Sequence, residues 1–135
     1  MKAQIGMEYI LMFGISLLIA GLIWIYASSE INTTKWDMQM AYAKDAVNRI
    51  TEMADMMYIQ GIPAQSYISP VFPDNIKNAY VSGTTVTIEL LWKEDILRNI
   101  SADASVNLTG SLIATPGTHR ILIRTNNTNV EIRDG

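Results

Sequence analysis

The feature that most constrains this chain is an unbroken apolar run near its N-terminus. No charged residue occurs from position 9 to position 29, and residues 10–27 are almost entirely apolar. A helix of that length spans a hydrocarbon core of about 30 Å. The run is longer than the apolar core of a signal peptide, and no A-x-A-like cleavage site follows it. Trp24 and Tyr26 stand at its outer end, where amphipathic rings favour the membrane–water interface. These residues alone predict a membrane-inserted N-terminal helix.

What is left of the chain is small. Its 135 residues allow one long segment and one modest domain, not two full domains. The net charge of -3, with Lys and Arg scattered, leaves no basic footprint for nucleic acid. The chain has no cysteine, so it has no disulfide framework, thiolate zinc site or cysteine nucleophile. A small exported domain without staples draws stability from elsewhere, and packing against neighbouring copies is one source.

No proline occurs before Pro63. Trp36, Met40, Ala43, Val47, Ile50, Ala54 and Met57 recur at spacings of 4, 3, 4, 3, 4 and 3, a heptad-like stripe on one helix face. Asp37, Lys44, Asp45, Asn48, Arg49 and Glu52 fall mainly on the other faces. The pattern predicts one long helix over residues 4–61, with an apolar part at 9–27 and an amphipathic part at 36–60. Its upper stripe, from Val47 to Met57, is expected to pack on the chain's own following domain. Residues 28–34 are its weakest stretch, because Ser, Asn and Thr compete for backbone hydrogen bonds, and a bend or break is expected there if anywhere. Gly61 followed by Pro63 is a stop signal.

Beyond Pro63 the period changes from helical to alternating. Residues 81–90 alternate about Ser82-Gly83, as in a β-hairpin. Residues 118–125 are a second strand region, and Asn126-Asn127-Thr128 reads as a turn into a last strand at 129–133. Residues 65–72 form a further candidate, interrupted by Pro70 and so expected at an edge. Residues 93–104 carry no decisive pattern, and 94–99 fit either a helical turn or a strand. The expected fold is therefore α+β: one long N-terminal α-helix, then a small, mostly antiparallel β domain over residues 62–135.

The residues in front of the apolar run carry the one specific motif. Met1-Lys2-Ala3 is followed by Gln4, and Glu8-Tyr9 comes four and five residues later. This resembles the class III signal of archaeal type IV pilin-like proteins, in which a short basic leader precedes a helix that is kept. The resemblance implies residues 1–3 as a leader, cut by a prepilin peptidase between Ala3 and Gln4. It implies Glu8 as the acidic assembly position and Tyr9 as its aromatic companion. It further implies a homopolymeric filament, an assembly ATPase and a membrane platform. Around Asn107 to Ser111 and Pro116 to Arg120 the chain also has the flavour of the small β domains of such proteins.

Elementary electrostatics fits an assembly role for Glu8. A lone carboxylate at full membrane depth costs about 2.5 kcal/mol or more and needs a partner or a proton. An α-amine created at Gln4 of an adjacent copy would supply one. The plainer reading is a glutamate that snorkels at the membrane surface. Gly14 and Gly21, seven apart, allow close helix approach, although glycine is also simply common in membrane helices.

Asn32, Asn99, Asn107 and Asn126 each open an Asn-x-Ser/Thr sequon, which fits an exported surface bearing N-linked glycans. His119, the only histidine, has no metal-ligand spacing around it and reads as an ordinary surface residue. No phosphate loop, nucleophile elbow or metalloprotease motif occurs, so neither an enzyme nor a cofactor or metal is expected. The expected product is an extracellular pilin-like filament subunit. The alternative is a single-span membrane protein, or minor assembly component, displaying the β domain.

Overall fold

The computed structural model describes residues 2–92 and 95–135, and side chains from residue 4 onward. One helix, α1 (Lys2–Gln60), is followed by nine strands: β1 (Gln65–Ile68), β2 (Val71–Phe72), β3 (Ile76–Ser82), β4 (Thr85–Trp92), β5 (Ile96–Asp103), β6 (Leu108–Ser111), β7 (Gly117–Thr118), β8 (Ile121–Thr125) and β9 (Val130–Asp134). This is the α+β layout expected from the change of period at Pro63. The chain divides into two compact units, Met1–Trp36 and Asp37–Gly135. The division falls inside α1, so the amphipathic half of the helix belongs with the strands.

In the first unit the side-chain hydroxyls turn back onto the helix where its propensity is lowest. Ser28 Oγ donates to Trp24 O at 2.8 Å and Thr33 Oγ1 to Ser29 O at 3.3 Å. Each hydroxyl is met by the carbonyl four residues back, a bond that slightly weakens a helix but does not interrupt this one. The break allowed for at residues 28–34 does not occur: helix runs through them.

The second unit is built around the predicted stripe. Ala43, Val47, Ile50, Ala54 and Met57 are buried, joined by Ala46, and Met40 at the lower end is half-buried; Trp36, the first residue of the stripe, ends the first unit. The alanines add small apolar side chains to this buried face. Val86, Ile88 and Leu90 of β4, Ile121 and Ile123 of β8, and Val130 and Ile132 of β9 complete one apolar cluster. Each large side chain removed from water here contributes roughly 1.5–3 kcal/mol. Gln39 and Asp55 pin the helix to the strand region at two levels. Gln39 Oε1 accepts from Asp74 N at 2.7 Å, and Asp55 Oδ1 accepts from Ser105 N at 2.8 Å. At the helix end Gly61, with φ 74°, donates to Met57 O and Tyr58 O, a glycine stop as read from the sequence.

The strands form three sheets, ordered β1-β8-β9-β6, β2-β7 and β3-β4-β5. The expected hairpin is β3–β4, with Ser82 opposite Thr85 and Gly83 at φ 61° in the turn. Residues 65–72 split into β1 and β2 at the buried Pro70, and β1 lies at a sheet edge, as the proline implied. The strand expected over 118–125 is likewise divided, into β7 and β8. Of the ambiguous residues, 96–99 belong to strand β5; Lys93 and Glu94 lie outside the described residues.

Strand β6 falls where the sequence shows no alternation, since four residues with a glycine among them carry no strand period. It pairs parallel with β9, the one parallel pairing among the described strands. Gly110, at φ 132°, lies opposite Ile132, and a Cβ there would sit 1.8 Å from Ile132 O. Only glycine lets the two backbones meet.

Two outcomes follow. Gly110→Ala is expected to cost at least about 3 kcal/mol, combining left-handed strain with direct overlap. Gly83→Ala, strained but unobstructed, is expected to cost about 1–2 kcal/mol. Denaturant unfolding of the two variants separates them, and equal losses would contradict the close approach. The second concerns acid. On β8 and β9, Arg124 Nη2 donates to Glu131 Oε2 at 2.7 Å and Arg133 Nη2 to Oε1 at 3.2 Å. The hydrogen bond from Arg124 is the main cause holding the Glu131 carboxyl below its ordinary range; partial desolvation opposes it, and the charges of Arg124 and Arg133 reinforce it. A lowered carboxylate stabilises the fold above the ordinary range and loses that contribution as pH falls through the lowered value. Thermal melts of Glu131→Gln between pH 7 and pH 3 should therefore fall less steeply toward acid than those of the parent chain.

Candidate assembly surface

The residues singled out in the sequence lie on the first half of α1. Gln4, Glu8, Tyr9, Gly14 and Gly21 are all exposed; Ala3 lies in the helix, and its side chain is outside the described set. Gln4, Met7, Glu8, Leu11 and Met12 line one shallow concavity. Gly14 and Gly21 are close to two turns apart, hence on nearly one face, about 10 Å along the axis. Nothing lies within 4 Å of the place where a Cβ would be built on either. These glycines are open flats on the helix, not accommodations to any neighbour in the chain. Among the described residues, no ion pair reaches Glu8.

The surface around them is apolar throughout. Leu11 is 64% exposed, Leu18 63% and Ile25 68%, and none of the large side chains from Ile10 to Tyr26 is buried. α1 is long and apolar enough to cross a membrane, which is compatible with insertion. Leaving such side chains in water costs roughly 1.5–3 kcal/mol apiece, so the whole stripe amounts to tens of kcal/mol. That exceeds the net stability of a typical small domain, about 5–15 kcal/mol.

The four sequon asparagines, Asn32, Asn99, Asn107 and Asn126, are all exposed, on α1, on β5, just before β6 and just after β8. No group of three His, Cys, Asp or Glu with the geometry of a metal site occurs among the described residues.

His119 requires a correction. It is not a surface residue but is buried, with its ring stacked on Phe72 at 4.3 Å. Nδ1 lies 2.7 Å from Asp134 Oδ2, and Nε2 lies 2.7 Å from Thr115 O and 3.2 Å from Thr115 Oγ1. The same Asp134 oxygen accepts from Ile113 N at 3.0 Å. The β8–β9 register, which sets Ile121 opposite Asp134, delivers the carboxylate, and the Pro116-Gly117 turn folds Thr115 back on the ring. Sequence spacing gave no hint of this, since the pairing partner lies fifteen residues away. A threonine, a histidine and an aspartate in line resemble a catalytic relay. Here, however, Nε2 faces a backbone carbonyl that accepts its hydrogen, so the ring ties the loop before β7 to the last strand rather than activating the hydroxyl. Replacing it leaves Thr115 O without its ring partner and Asp134 with only the Ile113 N–H. His119→Ala is expected to destabilise the chain by about 3 kcal/mol in chemical unfolding, whereas Arg120→Ala on the exposed side should cost under about 1 kcal/mol.

The chain matches no protein-family model, no curated protein and no solved structure.

Proposed function

We propose that this chain is the structural subunit of an extracellular, type IV pilus-like filament, polymerising through the first half of α1. The carrying observation is the uncovered apolar surface of residues 9–27, preceded by a single carboxylate, Glu8, and interrupted by the bare backbone at Gly14 and Gly21. In this reading the chain is first held in the membrane by that segment. Peptidase cleavage before Gln4 then yields an α-amine, and an ATPase with its membrane platform draws the subunit into a helical polymer. Bundled apolar segments form the water-free filament core. Glu8 of one subunit meets the Gln4 amine of another, which neutralises both and sets the axial stagger. The strand-bearing units form the sheath, with N-linked glycans on exposed sequons facing solvent. A heterologous contact that does not close generates an open helix of copies.

A single-span protein displaying the same β domain shares the helix but differs in cleavage and copy number. Shearing filaments from expressing cells and sequencing the N-terminus of the released protein separates the two. The filament reading expects Gln4 as the first residue and expects Glu8→Gln to abolish or greatly reduce filament yield while the protein still accumulates in membranes. Retention of the chain in membranes with Met1 intact, and its absence from sheared material, would refute it.

A further inference from the structure

The face of the β1-β8-β9-β6 sheet turned away from the apolar cluster mixes several kinds of side chain. Ile121, Ile123, Val130 and Ile132 belong to the cluster, so their neighbours along β8 and β9 point outward. The register sets Tyr67 of β1 opposite Leu122 of β8, Leu122 opposite Arg133 of β9, and Arg133 opposite Ser111 of β6. An aromatic ring, an aliphatic chain, a cation and a hydroxyl thus form one row across the sheet, about 14 Å long at strand spacing. Arg120 joins the row at its Tyr67 end, with its guanidinium 4.4 Å from the ring centroid. Tyr67, Arg120, Leu122, Arg133 and Gly135 line an open concavity of about 400 Å³, the size of a small-ligand site.

The charge on this face is unbalanced. Arg124 and Arg133 share one carboxylate, Glu131, at 2.7 Å and 3.2 Å. Arg133 is 71% exposed and spends a single nitrogen on that contact. Arg120 has no ion pair among the described residues. A guanidinium set over an aromatic ring keeps its N–H fork for other acceptors. Positive charge therefore collects here on a chain whose net charge is -3. The sequons Asn107 and Asn126 adjoin Leu108 and Thr125, which both lie opposite Val130, at the other end of these strands. Glycans there would leave the row open.

We propose that this concavity binds a carboxylate-bearing sugar, such as a uronic acid residue of an acidic polysaccharide. Arg120 and Arg133 take the carboxylate, whose two oxygens match their planar forks. The apolar face of the sugar ring rests on Leu122 and Tyr67, and its hydroxyls meet Ser111 and the phenol. Inorganic phosphate would leave Leu122 and Tyr67 unused. An extended polyanion would need cations along the whole row, where Leu122 and Ser111 stand instead. The site lies wholly in the second unit and does not depend on whether the chain polymerises.

The test titrates penta-galacturonate, and its fully methyl-esterified form, into the full chain in phosphatidylcholine nanodiscs, with heat as the readout. The acid is expected to bind at least about tenfold more tightly than the ester, and added salt should weaken the acid alone. Arg120→Ala and Arg133→Ala should each weaken the acid at least about tenfold, with melting temperatures near the parent's. Glu131→Gln removes the competing carboxylate and should tighten it. No binding, equal binding of acid and ester, or full affinity in both arginine variants would overturn the proposal. Displacement of the sugar by an equal concentration of inorganic phosphate or of a DNA oligonucleotide would make the face a general anion site and overturn it. Binding that appears only when the chain is extended beyond Gly135 would assign the arginines to the terminal carboxylate and overturn it as well.

Discussion

The apolar side chains of residues 9–27 have no partner in their own chain, and their removal from water decides how the protein exists. The second unit has a closed apolar cluster, with Val47, Ile50 and Ile88 inaccessible to solvent. The first unit has none, so its surroundings complete the structure. One helix thus has two parts: an exposed apolar segment compatible with membrane insertion, and a striped segment that packs on its own strands. The division between the units at Trp36 and Asp37 marks that change.

The second unit shows how a cysteine-free domain is held together by distributed means. The buried stripe of α1 packs into the same apolar cluster as the strands. Gln39 and Asp55 fix the helix to the strand connections at two levels, and Gly110 permits a parallel backbone contact that no other residue tolerates. His119 and Asp134 tie the last strand to the loop before β7 inside the unit. Such polar ties lend registry to a small core whose apolar side chains alone would tolerate alternative packings.

What the sequence revealed divides along physical lines. The helix was legible because its apolar run and its 4-3 stripe are local patterns, and so was its end at Gly61. The β3–β4 hairpin was legible because alternation and a glycine turn lie within ten residues. Strand β6 was hidden because a short segment containing Gly110 carries no period, and its strand character comes only from Ile132, twenty-two residues on. The His119 cluster was hidden for the same reason: its carboxylate arrives through strand pairing, not spacing. For the assembly surface, Glu8, Gly14 and Gly21 were nameable from sequence, and the chain's geometry adds that none of them is used internally. Strand β5 was not legible, because residues 94–99 fit a helical turn or a strand alike.

A reconstruction of the native assembly by electron cryomicroscopy tests the central claim most directly. The account predicts residues 9–27 of neighbouring copies packed against one another at helix–helix distances of about 8–10 Å, with Glu8 beside the N-terminus of an adjacent subunit. A solitary protomer whose apolar segment is surrounded only by acyl chains would contradict it.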